Sequence, residues 1–371
     1  MKILHIVQAT GGGVEKYVYT FLKNVDRTKF ENHLLYSKLV EFENFLPLLA
    51  GVKRLPMRRS IGLSDIKNIF LYRKEIKKIR PDVIYCHSSK AGAVGRLASL
   101  GLGIKTVYNA HGWAFNMQCP AIMRYLYLFI EWFLAFFSDR IVCISQYELD
   151  CAKRYHIGNE KKLRLIYNGV DISAMENDMA ASPLTREQLG IPSDAFVVGM
   201  NGRISQQKAP DVFVQMAAML KKHISKAYFL VVGDGTQRDE MIELFARNGL
   251  EDCYSITGWV KDTAPYMKLI DVAVLMSRWE GFGLALCDYM VAGVPIVATN
   301  VDAIPELVND GKNGFLVNQD DAGAACSAVL KLYNDPGLRM QFAENGKKIV
   351  YEKFDMKRTV SQHEELFDSL K

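Results

Sequence analysis

The chain contains no Cys-x-x-Cys pair, no Asp-x-Asp pair, no Gly-x-Ser-x-Gly and no Gly-x-Gly-x-x-Gly. Each gap removes a class of chemistry. Seven scattered cysteines, an odd number, argue against a disulfide framework or a zinc ribbon and for a reducing compartment. Without Asp-x-Asp, a divalent ion held by paired carboxylates is not expected. Without the nucleophile elbow, triad hydrolysis has no starting point, and without the fingerprint glycines a nicotinamide dehydrogenase is disfavoured. Long uninterrupted apolar runs are also missing. Residues 120–138 come nearest, but Arg124 and Glu131 fall near their middle, where an ionised group in lipid is costly. That stretch reads as a helix buried in a domain, or as one lying in a membrane interface with its aromatics down. The N-terminal apolar run is too soon interrupted by glycines to be a signal peptide.

What is present suits a soluble globular protein: 371 residues, 49% hydrophobic and 23% charged, enough for two domains with separate cores. The net charge of +5 hides an asymmetry. Residues 1–171 hold 26 Lys and Arg against 14 Asp and Glu, whereas residues 172–371 hold 20 against 27. The basic half is densest over residues 53–80, which suits an anionic partner. No nucleic-acid motif accompanies that charge, so an anionic membrane surface is the favoured partner.

Short apolar runs alternate with helix-length segments throughout. The first series is Ile3–Val7, His33–Tyr36, Val83–Cys86, Lys105–Asn109, Arg140–Ile144 and Arg164–Tyr167. The second is Phe196–Met200, Tyr228–Val232, Tyr254–Thr257, Val272–Met276, Val294–Ala298 and Phe315–Val317. A polar stretch, Ile172–Ser182, separates them and reads as a linker. The alternation predicts two α/β domains with doubly wound parallel sheets, each binding ligands at its strand C-terminal ends.

The loops after those strands carry the candidate chemistry. Residues 8–15, with Gly11, Gly12 and Gly13, join the first strand to a helix. In the second series, Gly202-Arg203 and Lys208 follow the opening strand, where two cations suit a diphosphate. Further on, Glu280-Gly281-Phe282-Gly283 opens a short helix carrying Asp288, with a helix N-terminus available to a phosphate. His111 follows the strand ending at Asn109, and His87 stands before Ser88, Ser89 and Lys90 in a similar position.

Taken in order, Gly11-Gly12-Gly13-Val14-Glu15, His111-Gly112, Asn168-Gly169-Val170-Asp171, Gly202-Arg203 with Lys208, Gly233-Asp234-Gly235 and Glu280-Gly281-Phe282-Gly283 resemble the family 4 glycosyltransferases across nearly the whole chain. The resemblance implies the GT-B fold, two facing Rossmann-like domains with a cleft between them, and retaining transfer of a sugar from a nucleotide-sugar. It implies a first, acceptor-side domain over residues 1–172 and a nucleotide-sugar domain over 173–354, with a C-terminal helix in 355–371 returning to the first. Arg203 and Lys208 would grip the diphosphate, and Glu280 the sugar hydroxyls. Backbone at Gly202, Gly233, Gly281, Phe282, Gly283 and Leu284 would line the donor, and Val260 the base pocket. Gly12 and Gly13 would meet the phosphate, and His111 would sit near the reacting sugar. Glu15, His87 and Lys90 are acceptor-side candidates. One departure stands out: the family's second glutamate, which binds ribose, is here Asp288, one methylene shorter. No metal or cofactor is expected. The acceptor would be a lipid-linked saccharide for surface polysaccharide or glycolipid, met by a cytoplasmic protein peripheral to the inner membrane face. The alternatives are a soluble sugar-phosphate acceptor, or a non-catalytic nucleotide-binding subunit of a membrane assembly.

Overall fold

The structure is a computed structural model that describes residues 1–8, 12–39, 42–58, 62, 64–181 and 184–371. The chain divides into two compact units, one of residues 1–169 with 356–371 and one of residues 170–355.

Among its described residues the first unit holds seven parallel strands: β1 (Lys2–Val7), β2 (Glu31–Tyr36), β3 (Gly51–Arg54), β4 (Val83–His87), β5 (Lys105–Asn109), β6 (Arg140–Cys143) and β7 (Leu163–Leu165). Their order is β3-β2-β1-β4-β5-β6-β7. Six match the apolar runs read from sequence. The missed one, β3, is a polar edge strand within the basic segment, too short and charged to show a strand pattern. Among the described residues the helices longer than one turn are α1 (Gly13–Asn24), α2 (Ser64–Ile79), α3 (Ser89–Ser99), α4 (Ala121–Ala135) and α5 (Gln146–Arg154). Ser145 starts α5 by accepting from Glu148 N–H at 3.1 Å, while the Glu148 carboxylate accepts from Ile144 N–H at 3.0 Å, a reciprocal cap.

Successive side chains on a strand leave opposite faces of the sheet. Leu4, Ile6, Ile84 and Cys86 join one core with Tyr72, Ile76, Ala91 and Val94 of α2 and α3. Ile3, Val7, Val83 and Tyr85 join the other, with Tyr17 and Phe21 of α1 and with Met356, Val360 and Phe367 from the chain's end. His5, His87 and Asn109 belong by register to this second face.

The second unit has six parallel strands: β8 (Phe196–Asn201), β9 (Ala227–Val232), β10 (Tyr254–Ile256), β11 (Val272–Leu275), β12 (Ile296–Thr299) and β13 (Gly314–Val317). Their order is β10-β9-β8-β11-β12-β13. β8, β9, β11 and β12 are buried along their whole length, which explains why they read as unbroken apolar runs. Among the described residues the helices longer than one turn are α6 (Ile172–Ala181), α7 (Pro210–Lys221), α8 (Arg238–Arg247), α9 (Leu284–Ala292), α10 (Ala322–Asn334) and α11 (Pro336–Lys353); α12 (Met356–Asp368) belongs to the first unit. The expected linker is instead α6. Its Ile172, Met175 and Met179 recur at spacings of three and four and are buried, a narrow stripe that the surrounding small and polar residues obscured.

In both sheets the chain leaves its first strand toward one edge and returns to open the other half. β1 and β4 therefore flank one reversal point, and β8 and β11 the other. Loops at such a point splay apart and leave a crevice at the strand C-terminal ends.

Candidate active site

The second unit's reversal point gathers most of the expected donor residues. Lys208 follows β8 and Glu280 follows β11, and Lys208 Nζ donates to Glu280 Oε2 at 2.5 Å across the crevice. Ser277 Oγ donates to the same oxygen at 3.2 Å. Three further contacts hold the two loops in place. Gln207 Nε2 donates to Trp279 O at 2.9 Å, Arg278 N–H to Gln207 O at 2.8 Å, and Glu280 N–H to Asp302 Oδ2 at 2.7 Å. Arg278 stiffens the frame through Asp211 at 2.6 Å and Asp320 at 2.8 Å. Ser277, Gln207, Arg278 and Asp302 escaped the sequence reading because each acts through a fold contact. Asp302 had one available signal, its place just after β12 at the same sheet end.

Arg203 lies exposed on the β8 loop and its guanidinium has no partner among the described residues. Gly283 starts α9 with φ 98° and no side-chain cap, so the helix's first N–H groups face outward from the loop. Gly233 closes the loop after β9. A Cβ there would stand 2.1 Å from Gly202 O at φ 144°, so only glycine lets the two loops touch. Phe282 is buried with its ring 5.4 Å from that of Phe354, which leaves its backbone as the part facing the loop. Val260 is partly buried in the loop after β10. Asp288 lies one helical turn beyond Leu284 and is only 3% exposed.

In the first unit, Gly12 caps α1 with φ 78° and Gly13 is its first residue; Gly11 lies outside the described residues. The acceptor-side candidates are less available than sequence suggested. Glu15 is buried, Lys90 is engaged by Asp65 of α2, and His87 has no exposed surface. These placements follow from packing: Glu15 turns toward the core side of α1, and His87 is the last, enclosed residue of β4.

His87 instead contacts His111, its Nδ1 3.0 Å from His111 Nε2, and its own Nε2 is 3.1 Å from His5 Nδ1. His111 is only partly buried and adopts φ 53°, a conformation rare outside glycine, with its N–H donated to Asn109 Oδ1 at 2.9 Å. Burial lowers the His5 pKa to about 4 and the His111 pKa to about 3, and takes His87 well below the usual imidazole range. All three rings are neutral at pH 7. His5 was missed because a histidine inside an apolar strand carries no motif.

Two family models divide the chain: "Glycosyltransferase Family 4" matches residues 11–174 and "Glycosyl transferases group 1" matches residues 182–349. The chain belongs to the family 4 glycosyltransferases. Among relatives of this glycosyltransferase, the Escherichia coli UDP-Gal:alpha-D-GlcNAc-diphosphoundecaprenol alpha-1,3-galactosyltransferase is 28% identical over 99% of this chain and 96% of its own. The Staphylococcus aureus capsular polysaccharide biosynthesis glycosyltransferase CapM is 24% identical over 99% and 97%. Anabaena HepE, solved in complex with UDP-glucose, superimposes with a TM-score of 0.86 at 24% identity and full coverage of both chains. WaaG, from lipopolysaccharide biosynthesis, gives 0.74 at 14% identity, with 99% of each chain covered. Both units thus have the architecture of GT-B glycosyltransferases.

Proposed function

We propose that the protein transfers a sugar from a nucleotide-diphosphate sugar to a lipid-linked saccharide in surface polysaccharide or glycolipid synthesis, with retention and without a metal. The observation that carries this reading is the Lys208–Glu280 pair across the second unit's reversal point. An ammonium has three donors and one is spent on Glu280, so two remain for phosphate oxygens. Arg203 offers a fork of N–H donors beside it, and the start of α9 adds backbone N–H groups with the positive end of a helix dipole. Together these neutralise a departing diphosphate, a role that otherwise falls to a divalent ion. Glu280 Oε2 accepts from Lys208 and Ser277, which directs the other oxygen to sugar hydroxyls. Asp288 is the ribose contact in this reading, with backbone around Val260 at the base. In this reading Glu280 is engaged on the sugar hydroxyls and Asp288 on the ribose, and the leaving phosphate takes the acceptor proton on the face it departs from. The names of the relatives, which act on a diphosphoundecaprenol-linked sugar or in capsule synthesis, support the acceptor class.

The membrane part of the reading rests on α4. Ile122, Tyr125, Phe129 and, just past its end, Phe136 are 79%, 71%, 59% and 62% exposed, and Leu126, Trp132 and Phe133 continue the stripe at helical spacing. Its inner face carries Glu131, while Arg124 lies exposed. Glu131 is buried against Arg96 at 3.3 Å and accepts from Tyr108 Oη at 2.7 Å. The helix is therefore not the buried core helix that its composition also allowed. An outward aromatic stripe on a strongly basic unit fits an anionic bilayer interface. No helix among the described residues is long and apolar enough to cross a membrane.

The test is turnover of UDP-, GDP-, ADP- and dTDP-sugars with EDTA present. The expected result is hydrolysis or transfer with at least one donor, undiminished by the chelator and lost in Glu280→Ala. Activity that requires added metal would refute the metal-free reading.

A further inference from the structure

The ring nitrogens around His111 form a chain whose protons can be assigned from one end. Asn32 Nδ2 donates to Phe30 O at 2.9 Å, and a carbonyl can only accept, so the amide orientation is fixed. Asn32 Oδ1 therefore faces His5 Nε2 at 3.0 Å and must receive its proton. A neutral imidazole carries one N–H, so His5 Nδ1 is a lone pair and accepts from His87 Nε2–H at 3.1 Å. By the same rule His87 Nδ1 is a lone pair and accepts from His111 Nε2–H at 3.0 Å. The ring planes lie nearly parallel, at 14° for His5 and His87 and 20° for His87 and His111, which in-plane N–H···N bonds allow. His111 is left with a bare Nδ1 that has no partner among the described residues.

A second arm fixes the His111 backbone. His363 of α12 donates from Nδ1 to Thr359 O at 2.8 Å, so its Nε2 accepts from Tyr85 Oη, also at 2.8 Å. Tyr85 Oη in turn accepts from Asn109 Nδ2 at 3.2 Å, which turns Asn109 Oδ1 toward the His111 N–H. Ring tautomer and strained backbone are thus set from two buried networks that meet on one residue.

We propose that Asn32, His5 and His87 are positioning residues that lock His111 as its Nε2–H tautomer, presenting Nδ1 as an acceptor for a hydroxyl of the bound saccharide. A lone pair attracts a hydroxyl hydrogen and repels a phosphate oxygen, so the tautomer selects which part of a glycosyl diphosphate lies against His111. The other tautomer would make the opposite choice. This inference rests on the transferase reading for the identity of the ligand, though not for the tautomer itself.

Long-range 1H–15N correlation of protein labelled at histidine tests the relay directly, with His111→Gln assigning the signal. The expected spectrum at neutral pH shows His111 protonated at Nε2 and bare at Nδ1; a proton on Nδ1, or an imidazolium, overturns the proposal. Asn32→Leu removes the terminal acceptor and should give mixed His111 tautomers, with kcat down about tenfold and the donor KM little changed. His5→Asn places an amide oxygen where Nδ1 stood and should keep both tautomer and rate. If Asn32→Leu folds and transfers normally, or if His5→Asn loses the tautomer, the relay has no role. Wild-type protein that turns over no donor refutes the transferase reading instead, and the spectrum still decides the relay.

Discussion

At the residue scale, the account depends on pairs of side chains brought together by strands far apart in sequence. Replacing Lys208 by Ala removes the cation nearest the expected diphosphate and leaves Glu280 with Ser277 alone. We expect kcat/KM for the nucleotide-sugar to fall by about 100-fold or more with the fold intact, as checked by steady-state kinetics and circular dichroism. Gly233→Ala tests the contact between the two loops. Its Cβ would meet Gly202 O at 2.1 Å, so unfolding in urea should show a loss of about 2 kcal/mol or more together with weaker donor binding. Sequence order pointed to Arg203, Lys208, Glu280 and Gly233 because charge and glycine at strand ends are local features. It did not reveal Asn32, His5, His363 or Asp302, whose contacts are made by register between strands or by a helix closing from the far end of the chain.

Elements show the same division. Twelve strands were legible as apolar runs, most plainly β4, β8, β9, β11 and β12, which are buried on both faces and have no polar alternation to confuse the pattern. β3 and α6 were not, because a short edge strand and a small-residue helix present weak periodicity. α4 was legible as a helix but not in its orientation, since Glu131 turns inward to Arg96 and Tyr108 while its aromatics face out. Substituting Tyr125 and Phe129 by Ser should therefore cost little stability, because these side chains are already exposed. It should abolish salt-sensitive flotation with vesicles containing anionic lipid. Equal flotation of the variant would remove α4 from the membrane account. The opposite behaviour is expected for α12. Phe367 is fully buried among Phe21, Phe30 and Tyr85, and Phe367→Ala should cost about 3–5 kcal/mol, measured by chemical denaturation.

Across the whole molecule, the buried His5, His87 and His363 and the partly buried His111 collect on one face of the first unit's sheet. Burial lowers His5 and His363 to about 4 and His111 to about 3, with His87 also well below the free value. Between roughly pH 6.5 and pH 4 the unfolded chain binds protons that the folded chain does not, so stability falls as the pH drops through this window. Above about pH 7.5 both states are neutral and the penalty is gone. Urea midpoints at about pH 6.5 and about pH 5 should show the loss, reduced in His363→Leu. The central claim is retaining, metal-free sugar transfer from the Lys208–Glu280 site. It is tested most directly by proton NMR of the first product formed from a nucleotide α-sugar in EDTA, read before mutarotation. The account predicts the α-anomer, absent in Lys208→Ala; a β-anomer, or product only after metal is restored, would contradict it.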